Sequence, residues 1–270
     1  GEIQRAGDLP RLRALNHRAR AFVLEHLTGA ASTEWMARFA TRADDAILAR
    51  VIELSGQDRL DGGWFVCGTS GRGESLSPRM PHLVCIQPPA AAGDAAVTYA
   101  SLTEALAECG YLPGPEGEHP PSFFVAPADE WASRYLGWIR NAVIEGMQRN
   151  RALFDLRHVW GDGQWPGQIL TSVRDSVDRD ILRLLAHDCL GDLPPLSFYE
   201  DAVVEHSGEV TGVFRLQRNV LQPLVDLGRV FGMAALNVMG TSTLDRFPAA
   251  RRLLPEHERI FREASDALRI

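Results

Sequence analysis

Trp64-Phe65-Val66-Cys67-Gly68-Thr69-Ser70-Gly71-Arg72-Gly73-Glu74 opens a run that continues through a short polar segment to His82-Leu83-Val84-Cys85-Ile86. An apolar stretch stops at a glycine-rich turn, and a second apolar stretch follows a few residues later. Strand, tight loop, brief helix, strand is the economical expectation. A loop of small residues that opens a helix presents backbone N–H groups to an anion, and the helix dipole adds to the pull. Three glycines, two hydroxyls and an arginine between Gly68 and Gly73 favour that reading over an ordinary glycine turn between core strands.

Several phosphate and nucleophile motifs fail here. Gly68 to Ser75 follows the P-loop spacing, but Glu74 stands where the lysine must be, and the chain contains no lysine. A dinucleotide fingerprint needs glycine at Leu76. A nucleophile elbow needs glycine at Arg72. A cysteine phosphatase loop starting at Cys67 needs arginine at Gly73.

Gly68-Thr69-Ser70-Gly71-Arg72-Gly73-Glu74 does resemble one pattern, the G-[ST]-x-[GA]-R-x-E loop of the polymerase-beta-like nucleotidyltransferases. The likeness is to the branch related to the N-terminal domain of protein-PII uridylyltransferase, whose members often lie downstream of CBS or cyclic-nucleotide-binding domains. A second match is Phe154-Asp155-Leu156-Arg157-His158-Val159-Trp160-Gly161-Asp162, close to the family's F-D-[FL]-R-x-[VL]-x-G-D. A third is Pro223-Leu224-Val225-Asp226-Leu227-Gly228-Arg229, like its P-[IV]-V-D-L-x-R helix. The resemblance implies that Gly68, Thr69, Ser70, Gly71, Arg72 and Glu74 hold nucleotide phosphates. It also implies an Asp-x-Asp pair at the start of the next strand, where alternate residues share a face and grip Mg²⁺ together.

That pair is missing. Counted from Glu74, its positions fall on Met80 and His82, and Ser75 to Gly93 contains no Asp or Glu. A thioether and a neutral imidazole are poor ligands for a hard cation. The expectation is a nucleotidyltransferase-like pseudoenzyme, impaired or dead as a transferase, that binds a nucleotide or a regulatory protein partner in signal transduction. No cofactor is expected in that case; Mg²⁺ and a nucleoside triphosphate belong to the alternative. The alternative is an active metal-dependent transferase using Asp155, the candidate third carboxylate, with Glu74. A further alternative is an interaction module with a vestigial cleft. For Asp155 and Arg157 the competing role is structural, pairing with groups such as Arg72 or Glu74 to hold the sheet.

Composition narrows the field further. The 270 residues, 45% hydrophobic and 23% charged, are typical of a globular protein with one large or two smaller domains. A net charge of −7 argues against a nucleic-acid surface. No apolar run is long enough to span a membrane, and no signal-peptide pattern is present, so a cytoplasmic location is expected. Cys67, Cys85, Cys109 and Cys189 have no C-x-x-C spacing and read as buried apolar residues. The histidines form no H-x-x-x-H pair, which disfavours a zinc hydrolase. The chain opens on Gly1 rather than methionine, consistent with a piece of a longer protein carrying CBS or cyclic-nucleotide-binding modules upstream.

The fold class expected is α+β: a mixed sheet flanked by helices, with a helical lead-in over 1–60, an α/β domain over 61–165 and a C-terminal helical domain over 166–270. Helical spacing predicts Leu9–Leu27 and a second helix from a Ser32 or Thr33 cap to about Ser55. Asp44 and Asp45 in that helix read as solvated or first-turn charges, with an interdomain contact as the alternative. Thr103–Cys109 reads as a short helix, and Leu112 to Pro121, with four prolines, as an irregular loop. Ala128–Gln148 has an amphipathic helical pattern, residues 152–162 alternate like a strand, and the chain reads helical from Gly167 on. The resemblance implies that this last part binds substrate, which makes Arg157, Arg215, Arg218 and Arg229 candidates for the substrate side. Asp226 and Arg229, three apart on one helix, equally suit an internal pair.

Overall fold

The computed structural model describes residues 1–27, 32–59, 61–88, 95–113, 123–140, 151–165, 167, 171, 179–190, 220–235 and 241–269. The chain divides into two compact units, one of residues 1–136 and 151–173, the other of 137–150 and 174–270. No helix among the described residues is long and apolar enough to cross a membrane.

In the first unit, α1 (Leu9–Leu27) and α2 (Thr33–Leu54) pack on each other as a helical lead-in. Ser32 caps α2, its hydroxyl accepting from the Trp35 N–H at 3.2 Å. Four strands follow: β1 (Gly63–Cys67), β2 (His82–Gln87), β3 (Phe123–Pro127) and β4 (Arg157–Gly161), ordered β3-β2-β1-β4. β1 runs antiparallel to β2 and β4, while β2 and β3 are parallel and joined through α4 (Ala95–Glu108). The architecture is therefore α+β with a mixed sheet.

Every residue of β1 is buried, which is why its sequence is an unbroken apolar run rather than an alternation. Trp64 and Val66 pair with Cys85 and Leu83 on one face. There they pack with Ile47, Leu48 and Val51 of α2 and Leu102 and Leu106 of α4. The lead-in helices and the sheet thus share a single core. α5 (Ala128–Arg140) follows β3, and its fully buried Trp131 donates to the Cys85 carbonyl at 3.4 Å.

The second unit contains α6 (Arg179–Leu190), α7 (Gln222–Ala234), α8 (Thr243–Leu253) and α9 (Glu258–Ala267). Phe247, Ala250, Phe261 and Ala264 form its core, with Leu224, Leu227 and Phe231 packed against them. α7 approaches α8 closely at Gly232, where a Cβ would lie 2.8 Å from Arg246 Cγ.

Four elements differ from the sequence expectations. The brief helix forms on the glycine turn itself, as α3 (Gly68–Arg72), rather than on the polar segment after it. Residues 152–162 are not one strand. Arg151–Asp155 is a 3-10 turn and β4 starts at Arg157, because Asp155 is drawn inward against the loop instead of lying in the ladder. β3 is an unanticipated strand, a five-residue run between a proline-rich segment and a helix start. α4 also begins earlier than the predicted Thr103.

Candidate functional site

Glycine at three positions allows the chain to leave β1 through one turn of helix. Gly71 sits so close to the preceding strand and the 3-10 turn that a Cβ would fall 1.9 Å from the Asp155 carbonyl oxygen. Gly73 adopts φ 70°, the left-handed conformation that ends the helix. The Gly73 N–H donates to the Ser70 carbonyl and the Glu74 N–H to the Thr69 carbonyl, both at 3.1 Å, a Schellman closure. Thr69 faces outward and Ser70 is half-buried.

Arg72 turns inward from this loop. Its Nη1 donates to Asp155 Oδ2 at 2.8 Å, its Nε to Glu74 Oε2 at 2.7 Å, and its Nη2 to Thr69 Oγ1 at 3.4 Å. The Arg72 side chain is 8% exposed and that of Asp155 wholly buried. Two carboxylates therefore surround one guanidinium, and the low-dielectric surroundings make each partner dependent on the others. Burial, with Asp155 nearby, pushes the Cys67 thiol far above its ordinary value, and burial pushes Cys85 up to about 12. Neither is a nucleophile at neutral pH.

A second arginine supports the loop from below. Arg157, at the start of β4, donates through Nη2 to the Ser70 carbonyl at 2.9 Å and through Nε to the Gly71 carbonyl at 3.2 Å. The same guanidinium grips both oxygens of Asp45 on α2. The neighbouring Asp44 pairs with Arg20 of α1 and accepts from the Tyr111 hydroxyl at 2.7 Å. Arg20 also donates to the Leu76 carbonyl at 3.4 Å. Burial pushes the Asp44 carboxyl up to about 6, against the opposite pull of Arg20 and the Tyr111 hydrogen bond. Burial and the Asp44 charge raise the Tyr111 hydroxyl well above its ordinary value. A small cleft opens here, lined among others by Thr41, Asp44, Asp45, Ser70, Arg79 and Arg157.

The structure thus brings Thr69, Ser70, Arg72, Glu74, Asp155 and Arg157 together around one helical turn. Arg229 lies in the other unit, buried in α7 and paired with Asp226, whose second oxygen accepts from Gln222 Nε2 at 2.9 Å. Arg215 and Arg218 lie outside the described residues. Asp44 and Asp45 are not the solvated charges expected. They sit one turn before Leu48 on α2 and are half-buried against Arg20, Tyr111 and Arg157.

Residues 17–144 match the family model described as "Putative nucleotidyltransferase DUF294", and residues 179–270 the model described as "Putative nucleotidyltransferase substrate binding domain". Both models describe domains of nucleotidyltransferase type, one over each of these two stretches. No curated protein matches the chain. The first match spans the loop 68–74, both lead-in aspartates and β2.

The metal that the resemblance implies does not suit the residues present. Met80 packs against the apolar core of the first unit, and its backbone N–H donates to the Leu112 carbonyl at 2.8 Å. His82 pairs with Cys67 across the first rung of the β1–β2 ladder, beside Gly68. Asp155 and Glu74, the carboxylates nearest the loop, are both engaged by Arg72. Among the described residues no three His, Cys, Asp or Glu side chains come together as a metal-holding group.

Proposed function

We propose that this chain is a nucleotidyltransferase-fold pseudoenzyme, related to the protein-PII uridylyltransferases, that binds a nucleotide at the loop 68–74 without resident metal. The observation that carries the reading is Asp155, the candidate catalytic carboxylate beside the loop. It is fully buried and committed to Arg72, while a thioether and an imidazole occupy the two positions of the missing aspartates. Nucleotidyl transfer rests on metal and positioning, so losing two ligands removes several powers of ten in rate. What remains is a turn with an exposed Thr69 and a backbone held by Arg157, suited to holding phosphate. A bound nucleotide would then act as a signal, read by a regulatory protein partner in the cytoplasm.

The test is pyrophosphate release from ATP, UTP, GTP and CTP with Mg²⁺ or Mn²⁺, alongside Asp155→Asn. The reading predicts no release above the variant's background. Metal-dependent release that Asp155→Asn abolishes would sink it and establish the active-transferase alternative through Asp155 and Glu74.

A further inference from the structure

We propose that Asp45 and Arg157 are positioning residues for the nucleotide loop, a role that rests on the reading of that loop as the nucleotide site. Arg157 is the junction of three elements. It belongs to β4, its guanidinium is gripped by a carboxylate of α2, and its remaining N–H groups hold two successive carbonyls of α3. The planar guanidinium fork meets a carboxylate along one edge while presenting further donors to neighbouring acceptors. A lysine ammonium has the same charge but no fixed fork.

The two carbonyls belong to Ser70 and Gly71, consecutive residues of a one-turn helix whose other end leads out of β1. A helix this short has little stability of its own, so its orientation is set by what holds it. The Ser70 carbonyl also receives the Gly73 N–H that closes the turn, which places the Arg157 contact on the residue where the loop reverses. Gly71 is pressed against the Asp155 carbonyl from the other side. The loop is therefore clamped between the 3-10 turn and Arg157. Asp45 fixes Arg157 and so sets the loop from α2. The lead-in helices thereby become part of the nucleotide site.

The test uses Arg157→Lys, Asp45→Asn and Asp45→Glu in the full chain, with metal-free calorimetric titrations of ATP, UTP, GTP and CTP. Backbone amide shifts of residues 69–74 and thermal midpoints are recorded on the same samples. Arg157→Lys and Asp45→Asn are expected to shift the loop amides, to leave those of Val84 to Ile86 in place, and to weaken nucleotide binding roughly tenfold or more. Asp45→Glu is expected to recover part of that loss. A lowered midpoint with unchanged affinity and unmoved loop amides would overturn the positioning role and leave only a structural ion pair. Where the wild type binds no nucleotide, the nucleotide reading falls by itself, and the loop amides of the variants still decide whether Arg157 and Asp45 position the loop.

Discussion

Asp155 and Arg72 show how a short motif in the sequence becomes a structural demand. Removing one partner of a buried ion pair leaves the other charge in low dielectric, whereas replacing both with apolar groups is far milder. Asp155→Ala is expected to lose about 3–5 kcal/mol in urea unfolding, and Arg72→Met/Asp155→Leu to recover most of it. A change below about 1 kcal/mol in Asp155→Ala, the level of a surface pair, would show that the two charges are solvated. Asp44 makes a prediction of opposite kind. Its carboxyl is raised from 3.8 to about 6 in the fold. Between those values the folded chain keeps a proton that the unfolded chain releases. The stabilisation is therefore full below about pH 4 and is lost as pH rises through about 6, by up to about 3 kcal/mol. Asp44→Asn should remove that slope from a plot of unfolding free energy against pH. The sequence named the Arg72–Asp155 pairing as one reading, since the alternating charges at 155 and 157 need partners. It did not show Asp45 as the partner of Arg157, because the two lie on different elements and only the packing of α2 on the sheet brings them together.

At the scale of elements, the loop is where local chemistry and tertiary packing agree. Gly73→Ala forces a side chain into φ 70° and should cost about 1–2 kcal/mol. Gly71→Ala drives a methyl into the Asp155 carbonyl and should cost about 1–3 kcal/mol or more, both read from thermal unfolding. A fully tolerated Gly71→Ala would mean the loop is not seated on the 3-10 turn. β1 and β2 were legible because apolar runs and polar punctuation fall in the right order, whereas the brief helix was expected after the glycine turn and forms on it. The 3-10 turn at 151–155 was not, since Phe154 and Leu156 alternate with charged neighbours as a strand would. β3 escaped because five residues beside a proline-rich segment give too short a period to recognise.

Over the whole molecule, the first family match, residues 17–144, takes in part of α1, then α2 and β1 to β3 but not β4, and the second, residues 179–270, takes in the C-terminal helices. The α+β class was legible from the chain because helical periodicity brackets the short apolar runs. The shared core of the lead-in and the sheet was not, because burial of Ile47, Leu48 and Val51 against Trp64 and Val66 is a long-range event. The likeness to nucleotidyltransferases implies metal-assisted chemistry, whereas positions 80 and 82 carry a methionine and a histidine and Asp155 is buried against Arg72. The most direct measurement is calorimetric titration with ATP, UTP, GTP and CTP, with and without Mg²⁺ or Mn²⁺. The account predicts saturable binding of a nucleotide with the same affinity in both conditions. Binding that exists only with metal, or no binding of any nucleotide, would contradict it.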